Sequence, residues 1–240
     1  MQRTLFISDL HLAEDRPATT ERFARFIAET VPGCDALYIL GDLFEYWVGD
    51  DGLALELPAH IASLLRPAAR ACPTYFMHGN RDFMVASRFC AETGVRLLVD
   101  PTVIELYGER TILLHGDTLC TGDRDYLAFR AQVRDPAWQA AAMQKPIAER
   151  IAIAKGMRMR SEGEKGGKGE AIMDVETDAV EAVFAGSGCR LMIHGHTHRP
   201  ARHEHIVGTR SCVRWVLPDW YRTGGYLEAT PSGQQAVTLP

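Results

Sequence analysis

The sequence contains no hydrophobic run long enough to cross a membrane, and its cysteines lack paired spacing. No stretch approaches the roughly 20 apolar residues that a transmembrane helix needs. The six cysteines never form a Cys-x-x-Cys pair, which argues against a thiolate zinc site and a thioredoxin-like motif. The first 15 residues are too acidic and too briefly apolar for a secretory signal. We therefore expect a cytoplasmic protein whose cysteines are reduced and mostly buried.

A strong excess of charge of one sign is also missing. The 240 residues include 26 basic and 31 acidic side chains, which gives a net charge of -5. Because surfaces that bind nucleic acid are usually basic, this balance argues against a nucleic-acid partner. The length and the hydrophobic fraction of 46% suit a single domain over residues 1–240 with a core of its own.

Five short apolar runs each end in polar residues that can bind a metal. Runs of this length, bounded by glycine and aspartate, are typical of buried strands, and helical patterns separate them. The sequence therefore predicts an α/β layered fold, in which ligands gather beyond the carboxyl ends of the strands. The predicted strands are Thr4–Ile7, Ala36–Leu40, Thr74–Met77, Thr111–Leu114 and Leu191–Ile193. The predicted helices are Thr19–Val31, with Thr19 or Thr20 as its cap, Leu53–Arg70, Met84–Thr93 and Val175–Ala185.

Two segments depart from this alternation. The β-rich runs Arg210–Leu217 and Gly225–Leu239 predict antiparallel strands that complete a second sheet. Residues from about 121 to 172 show no clear strand and predict an inserted group of two or three helices, with a flexible loop at Ser161–Glu170. Residues 145–168 contain seven basic and three acidic side chains, a local charge of +4. Such an insertion suits anionic phosphate groups and an anionic lipid surface.

Side chains that can bind metal follow all five predicted strands. Asp9 and His11 are two residues apart, so both can point the same way at a strand end. Each motif alone is also typical of a turn, a cap or an ordinary histidine, but five in order are not expected by chance. The candidate ligands are Asp9, His11, Asp42, Asn80, His115, His196 and His198. Of the other histidines, we expect His78 and His194 to face the core, and His60, His203 and His205 to lie on the surface.

This set of side chains suits the hydrolysis of a phosphate ester or anhydride. Two metal ions about 3.5–4 Å apart can neutralise the nonbridging oxygens and supply hydroxide at neutral pH. Mixed histidine, aspartate and asparagine ligands favour Mn²⁺, Fe or Zn over Ca²⁺. A carboxylate can bridge two metals, and Asp42 is the natural candidate.

The motifs Asp9-Leu10-His11, Gly41-Asp42, Gly79-Asn80, His115-Gly116-Asp117 and Gly195-His196-Thr197-His198 resemble, in this order, those of the calcineurin-like metallophosphoesterases. The resemblance implies a four-layer αββα sandwich, here with an inserted helical lid. It also implies one metal held by Asp9, His11, Asp42 and His198, and a second held by Asp42, Asn80, His115 and His196. Many members have histidine where this chain has Arg81, which argues against a phosphomonoesterase or a phosphoprotein phosphatase.

Longer blocks resemble the UDP-2,3-diacylglucosamine hydrolase family. They are Ile7–Leu12, Tyr38–Glu45, Gly79–Phe83, His115–Thr121, Ala171–Val175 and Ile193–Pro200. The resemblance implies that two Mn²⁺ ions serve cleavage of the pyrophosphate of UDP-2,3-diacylglucosamine. The products are UMP and 2,3-diacylglucosamine 1-phosphate (lipid X), in a step of lipid A synthesis on the cytoplasmic face of the inner membrane. It further implies a peripheral membrane protein with no obligate protein partner.

The same resemblance implies roles for individual residues. A metal-bound hydroxide would attack the phosphorus nearer uridine, while Arg81 and His196 stabilise the developing charge. The implied substrate contacts are Asn80, Arg81, Asp123, Ser161, Lys165, Lys168 and His196. Relatives often carry a smaller polar residue in place of Lys165. For Lys165 and Lys168, the alternative is a solvated loop without contact to a ligand.

Two other functions compete with this one. A metallophosphodiesterase acting on cyclic nucleotides or nucleic-acid ends would use the same ligands, but the net charge of -5 and the apolar insertion argue against it. A scaffold that has lost catalysis would lack one or more ligands, whereas all seven candidates are present.

Overall fold

Two β-sheets form the centre of the protein in a computed structural model, which describes residues 2–165 and 174–239, with the backbone alone for 160–165. The strands are β1 (Thr4–Ile7), β2 (Ala36–Leu40), β3 (Thr74–Met77), β4 (Arg96–Leu98), β5 (Thr102–Leu106), β6 (Glu109–Leu113), β7 (Leu191–His194), β8 (Ala201–Val207), β9 (Arg210–Val216), β10 (Gly224–Thr230) and β11 (Gly233–Leu239). The first sheet has the order β11-β10-β1-β2-β3-β4, and the second has the order β5-β6-β7-β9-β8.

The α-helices lie between these strands and in one inserted segment. They are α1 (Pro17–Arg25), α2 (Glu56–Ala71), α3 (Ser87–Thr93), α4 (Arg124–Val133), α5 (Pro136–Met143), α6 (Ile147–Lys165) and α7 (Thr177–Ser187). The chain continues from α1 into a π-helix at Phe26–Thr30. The prediction that Thr19 or Thr20 caps the first helix is wrong. The helix begins at Pro17, whose fixed φ suits the first helical position, and Arg16 occupies the cap.

Alternating side chains of the central strands pack into different layers. In β1, Leu5 and Ile7 belong to the core that includes α1 and α2, whereas Phe6 belongs to the core between the sheets. In the second sheet, Leu113 packs into the core between the sheets, while Ile112 packs with α7. Because successive side chains of a strand point to opposite faces, each sheet separates two apolar layers. The predicted αββα sandwich is thus confirmed.

The C-terminal strands divide between the two sheets. Strand β9 joins the second sheet, parallel to β7 and antiparallel to β8. Strand β10 instead pairs antiparallel with β1, and β11 pairs with β10, both in the first sheet. The prediction that both C-terminal runs complete a second sheet is therefore wrong for Gly225–Leu239. Period-two alternation specifies a strand but not its partner, which here lies more than 200 residues away.

The inserted segment contains three helices, α4 to α6. The side chain of Asp123 accepts a hydrogen bond from the Tyr126 N–H at the start of α4, and Asp135 caps α5 directly before Pro136. Helix α6 continues to Lys165, so the expected loop at Ser161–Glu170 is wrong for its first five residues. The rest of that loop lies outside the described residues. No helix within residues 2–165 and 174–239 has the length and apolar character needed to cross a membrane.

Candidate metal centre

The turns that follow β1, β2, β3, β6 and β7 meet at one edge of the two sheets. Their backbone is unusual, because outside glycine only six described residues have a positive φ, and five of the six are predicted metal ligands. These five are Asp9, His11, Asp42, His196 and His198, with φ between 49° and 70°. A left-handed backbone is costly for residues other than glycine, and it is concentrated where function needs a fixed geometry.

Asp9, His11 and His198 form the first group of candidate ligands. Their ligand atoms all lie within 4.8 Å of one another. The Nε2 atoms of His11 and His198 are 3.2 Å apart, and Asp9 Oδ1 lies 3.4 Å from His198 Nε2. All three groups therefore point at one small volume, as ligands of a single cation would.

Asp42, His115, Asn80 and His196 form the second group. Asn80 Oδ1 lies 3.1 Å from His115 Nε2 and 3.1 Å from His196 Nδ1. His115 Nδ1 donates to the Leu40 carbonyl at 2.9 Å, which leaves Nε2 free to bind a metal. Asp42 lies between the groups, with Oδ2 3.7 Å from His11 Nε2 and Oδ1 3.8 Å from His115 Nε2. This is the placement that a bridging carboxylate requires.

The electrostatics of the cluster favour a cation. Burial raises the pKa of Asp42 to about 7, and the carboxylates of Asp82 and Asp9 act in the same direction. Burial opposes a charge on His115, but the carboxylates of Asp42 and Asp117 raise its pKa to about 9. Buried carboxylates thus require a positive charge at the centre of the cluster, which a divalent ion can supply.

His196 and Asp9 also suit metal binding. Burial lowers the pKa of His196 to about 3, and the charge of His115 adds to this effect, so the ring is neutral as a ligand must be. Burial alone would raise the pKa of Asp9, but the neighbouring imidazole of His198 holds that pKa below the usual range. Asp9 Oδ1 is buried and has no hydrogen-bond partner among the described residues, so it is available to a metal.

The comparison with family models agrees with this geometry. The model of the calcineurin-like phosphoesterases matches residues 2–200, which is more than half of the chain. The chain belongs to the calcineurin-like phosphoesterases. Members of this family use divalent metals, and two clusters of side chains, Asp9 with His11 and His198 and Asp9 with Asp42 and His115, could hold a metal ion.

Individual relatives within this phosphoesterase family give a narrower match. A UDP-2,3-diacylglucosamine hydrolase of Xanthomonas campestris pv. campestris is 49% identical over 237 residues, which cover 96% of each chain. One of Stenotrophomonas maltophilia is 47% identical over 243 residues, which cover 98% of each chain. The resemblance to that hydrolase family is thereby confirmed. A solved archaeal phosphodiesterase superimposes with a TM-score of 0.50 over 99% of each chain at 10% identity, which shows the shared fold alone.

Two supporting residues escaped the sequence analysis. The buried carboxylate of Asp82 accepts backbone N–H groups from both the Asp42 turn and the Gly79 turn, including those of Leu43 and Gly79 at 2.8 Å. Ser8 donates to Asp9 Oδ2 at 2.5 Å. Asp82 lies two residues after Asn80, within the block Gly79–Phe83 that resembles the hydrolase family. Its place in that block was the signal that could have identified it.

Glycines let the turns of this phosphoesterase approach one another. A Cβ atom at Gly41, where φ is +88°, would lie 2.6 Å from His115 Nδ1. A Cβ atom at Gly79 would meet the carboxylate of Asp42, and one at Gly195 would meet Ser8 Oγ and Asp9 Oδ2. Neighbouring turns therefore pack to a distance that no side chain at these positions permits.

A groove of about 780 Å³ opens beside the metal ligands. Four of the predicted substrate-contact residues line it, namely Asn80, Arg81, Asp123 and His196. Of the other three, Ser161 and Lys165 lie in α6, but their side chains are outside the described atoms, and Lys168 lies outside the described residues. Their contacts with substrate stay predictions.

The remaining histidines differ in burial. His194 is fully buried, as expected, whereas His78 is half-buried and hydrogen-bonds the Val85 carbonyl at 2.7 Å. His60 is exposed, as expected. His203 and His205 lie half-buried on β8, so the prediction of surface positions is only partly right. Strand β8 itself was not predicted.

Proposed function

We propose that this protein hydrolyses the pyrophosphate bond of UDP-2,3-diacylglucosamine in a divalent-metal-dependent reaction that yields UMP and 2,3-diacylglucosamine 1-phosphate. The observation that carries this proposal is a single groove that is lined both by predicted metal ligands and by many apolar side chains. Such a groove suits a phosphoanhydride joined to acyl chains. The names of the relatives that share 47% to 49% identity support the same substrate.

The apolar lining of the groove combines side chains from the core and from the insertion. Trp47 and Phe83 come from turns beside the metal centre, while Phe129, Trp138 and Met157 come from α4, α5 and α6. The rings of Phe83 and Trp138 are 6.4 Å apart, so they close one wall together. A large groove lined mostly by apolar groups, with a few polar groups at one end, is typical of sites for lipid-like ligands.

Two ions, for which Mn²⁺ is our proposal, would be bound by the two groups of ligands, with Asp42 shared between them. When bound, they would neutralise phosphoryl oxygens and lower the pKa of a water molecule. The protein's own contribution is to hold the pyrophosphate beside them. The backbone N–H of Arg81 donates to Asp42 Oδ1 at 2.8 Å, which fixes the start of the Arg81 side chain against the centre.

Arg81 and His196 are the proposed catalytic residues. Both line the groove next to the metal ligands. Arg81 Nε is buried and has no hydrogen-bond partner among the described residues, so this N–H is not committed to another protein group. Because UMP and a sugar phosphate are both moderately good leaving groups, this reaction needs a dedicated general acid less than an alkyl ester does. This accounts for arginine in place of the usual histidine.

We further propose that the protein associates with the surface of the cytoplasmic membrane. The insertion exposes Met143, Ile153 and Met159, with 39%, 36% and 73% of their surface accessible. Exposed apolar side chains on helices with a local excess of basic charge suit an anionic lipid surface. Sedimentation with phosphatidylglycerol vesicles tests this, and a protein that stays in the supernatant at low salt would contradict it.

The experiment that tests the function measures UMP release from UDP-2,3-diacylglucosamine. We expect release with Mn²⁺, none with EDTA, and a loss of at least about 100-fold in His11→Ala, because an interaction that orients the reacting groups is removed. No release of UMP together with rapid cleavage of simple phosphodiesters would keep the metal centre and favour a phosphodiesterase. In ¹⁸O-labelled water, label only in the sugar 1-phosphate would exclude attack at the phosphorus nearer uridine.

A further inference from the structure

The ring of His11 has one nitrogen directed at the metal centre and one directed away from it. Nε2 lies 3.7 Å from Asp42 Oδ2 and 3.2 Å from His198 Nε2, so it is the nitrogen placed to bind a metal. A histidine that binds through Nε2 carries its proton on Nδ1. This second nitrogen is buried and has no hydrogen-bond partner among the described residues. Its nearest carboxylate is that of Glu45, whose Oε2 lies 3.8 Å away.

Glu45 is held in this place by the backbone and by two arginines. Its N–H donates to the Leu12 carbonyl, next to the isolated bridge between Leu12 and Phe44. The carboxylate is buried and contacts Arg16 through Oε2. Its other oxygen, Oε1, forms an ion pair with Arg158 Nε of helix α6 at 3.0 Å. A buried carboxylate is costly unless it is paired, so this one is fixed by charges on two sides.

The face of the same ring is also supported. Tyr221 stacks on His11 with the ring centroids 5.1 Å apart and the planes inclined by 8°. The guanidinium of Arg16 lies 5.0 Å from the centre of the Tyr221 ring, on which it forms a cation–π contact. Arg16 therefore contacts both Glu45 and Tyr221, the two groups that restrict His11. Rotation of the imidazole is limited along its edge by Glu45 and across its face by Tyr221.

We propose that Glu45 is the positioning residue for His11, and that its ion pair with Arg158 connects the inserted helices to the metal centre. The carboxylate accepts a hydrogen bond from the Nδ1–H of His11 when Nε2 binds the metal, which fixes the tautomer and the ring orientation. Carboxylates that support a metal-binding histidine in this way contribute strongly to metal affinity. The inference rests on the proposed function, because it takes the metal centre as given, but it does not depend on the identity of the substrate.

Binding of Mn²⁺ without substrate tests the role of Glu45. Equilibrium dialysis with metal analysis should show an affinity about 10- to 100-fold weaker in Glu45→Ala than in the unchanged protein. Glu45→Gln retains an oxygen acceptor and should fall between the two. The control is Glu149→Gln, because Glu149 lies on α6, is 48% exposed and pairs with the exposed Lys145. This variant should bind Mn²⁺ normally.

The kinetic constants separate positioning from a structural or substrate-binding role. At saturating Mn²⁺, kcat of Glu45→Gln should recover while KM for the substrate stays unchanged. A folded Glu45→Gln that binds Mn²⁺ with full affinity, or that keeps a raised KM at saturating Mn²⁺, would overturn the inference. If the unchanged protein bound no Mn²⁺, the proposed function itself would fail, so the two failures are distinguishable.

A double-mutant cycle tests the connection to the insertion. Arg158→Gln should weaken Mn²⁺ binding less than Glu45→Ala does, because Arg16 still holds the carboxylate. Combined with Glu45→Ala it should add no further loss, since Arg158 acts through Glu45. Additive losses in the double variant would show that Arg158 affects the metal centre by another route, and would overturn the connection.

Discussion

At the scale of single residues, the metal centre depends on backbone conformations that the chain adopts at a cost. Each residue other than glycine in the left-handed region costs of the order of 1–3 kcal/mol. Five candidate ligands are in this region, so the surrounding contacts must hold them there. Asp82 and the close approach of neighbouring turns provide these contacts. Small changes in the turns should therefore affect metal binding more than fold stability.

Gly195→Ala tests this dependence at the turn that carries His196 and His198. The new Cβ atom would meet Ser8 Oγ and Asp9 Oδ2, so the turn must move away from the first group of ligands. We expect turnover of UDP-2,3-diacylglucosamine to fall about 100-fold, because displacements of about 1 Å in a reactive geometry have effects of this size. Steady-state kinetics at saturating Mn²⁺ measures this turnover in Gly195→Ala and in the unchanged protein.

The matched control is Gly186→Ala in α7, where a Cβ atom meets nothing within 4 Å. This variant should keep full turnover and gain about 0.5–1 kcal/mol in the free energy of unfolding, since alanine favours a helix more than glycine does. Full turnover in Gly195→Ala would show that the turn tolerates displacement, and would contradict the tight packing proposed for it.

At the scale of elements, the sequence predicted what is local and missed what is not. Each strand and its ligand-bearing turn are contiguous, so apolar runs that end in polar residues able to bind a metal located all five turns of the metal centre. Strands β4, β5 and β8 lie at or beside sheet edges with many exposed residues, so they lack a clear apolar pattern. Strand β10 pairs with β1, which lies more than 200 residues away in the sequence, and Glu45 contacts His11 from a different turn. The spacing of residues along the chain does not encode either contact.

Besides Arg158, three further arginines attach the inserted helices to the core. Arg130 pairs with Asp117 at 2.7 Å, and Arg134 donates to the Gly79 carbonyl at 2.9 Å, both from α4. From α6, the nearly buried guanidinium of Arg150 pairs with Asp51 and donates to the Val48 carbonyl. These contacts reach the turns beside the metal ligands, so the position of the insertion is tied to the site.

Arg150→Gln should loosen α6 without unfolding the sheets. Hydrogen bonds that involve a charged group contribute about 1.5–3 kcal/mol to stability. Without those of Arg150, local opening of α6 should therefore become roughly tenfold or more frequent. Hydrogen exchange read by mass spectrometry should show faster exchange in α6 and no change in β1 and β2. Arg124→Gln, at an exposed arginine of α4, is the control. If hydrogen exchange became faster by the same factor in α6 and in the sheets, a local role for Arg150 would be contradicted.

At the scale of the whole molecule, the sandwich and the insertion each supply half of the groove. The sandwich contributes metal ligands and Arg81 to its lining, and the insertion contributes Phe129, Trp138 and Met157 among other apolar side chains. A substrate that joins a pyrophosphate to acyl chains would use both halves at once, whereas a small phosphodiester would use only the first. Changes in the insertion should therefore separate the two kinds of substrate.

Ala154→Phe tests this separation, because Ala154 lines the groove from α6. A bulky side chain there should exclude acyl chains at a cost of about 1–3 kcal/mol, which lowers kcat/KM for UDP-2,3-diacylglucosamine about tenfold or more. Cleavage of bis(p-nitrophenyl) phosphate should be unchanged, because that diester needs only the metal centre. Ala152→Phe, an exposed position on the same helix, controls for the added ring and should affect neither reaction. If the groove binds the acyl chains, only kcat/KM for the lipid substrate should fall. An equal loss of kcat/KM for both substrates would mean that α6 supports the metal centre and not the acyl chains.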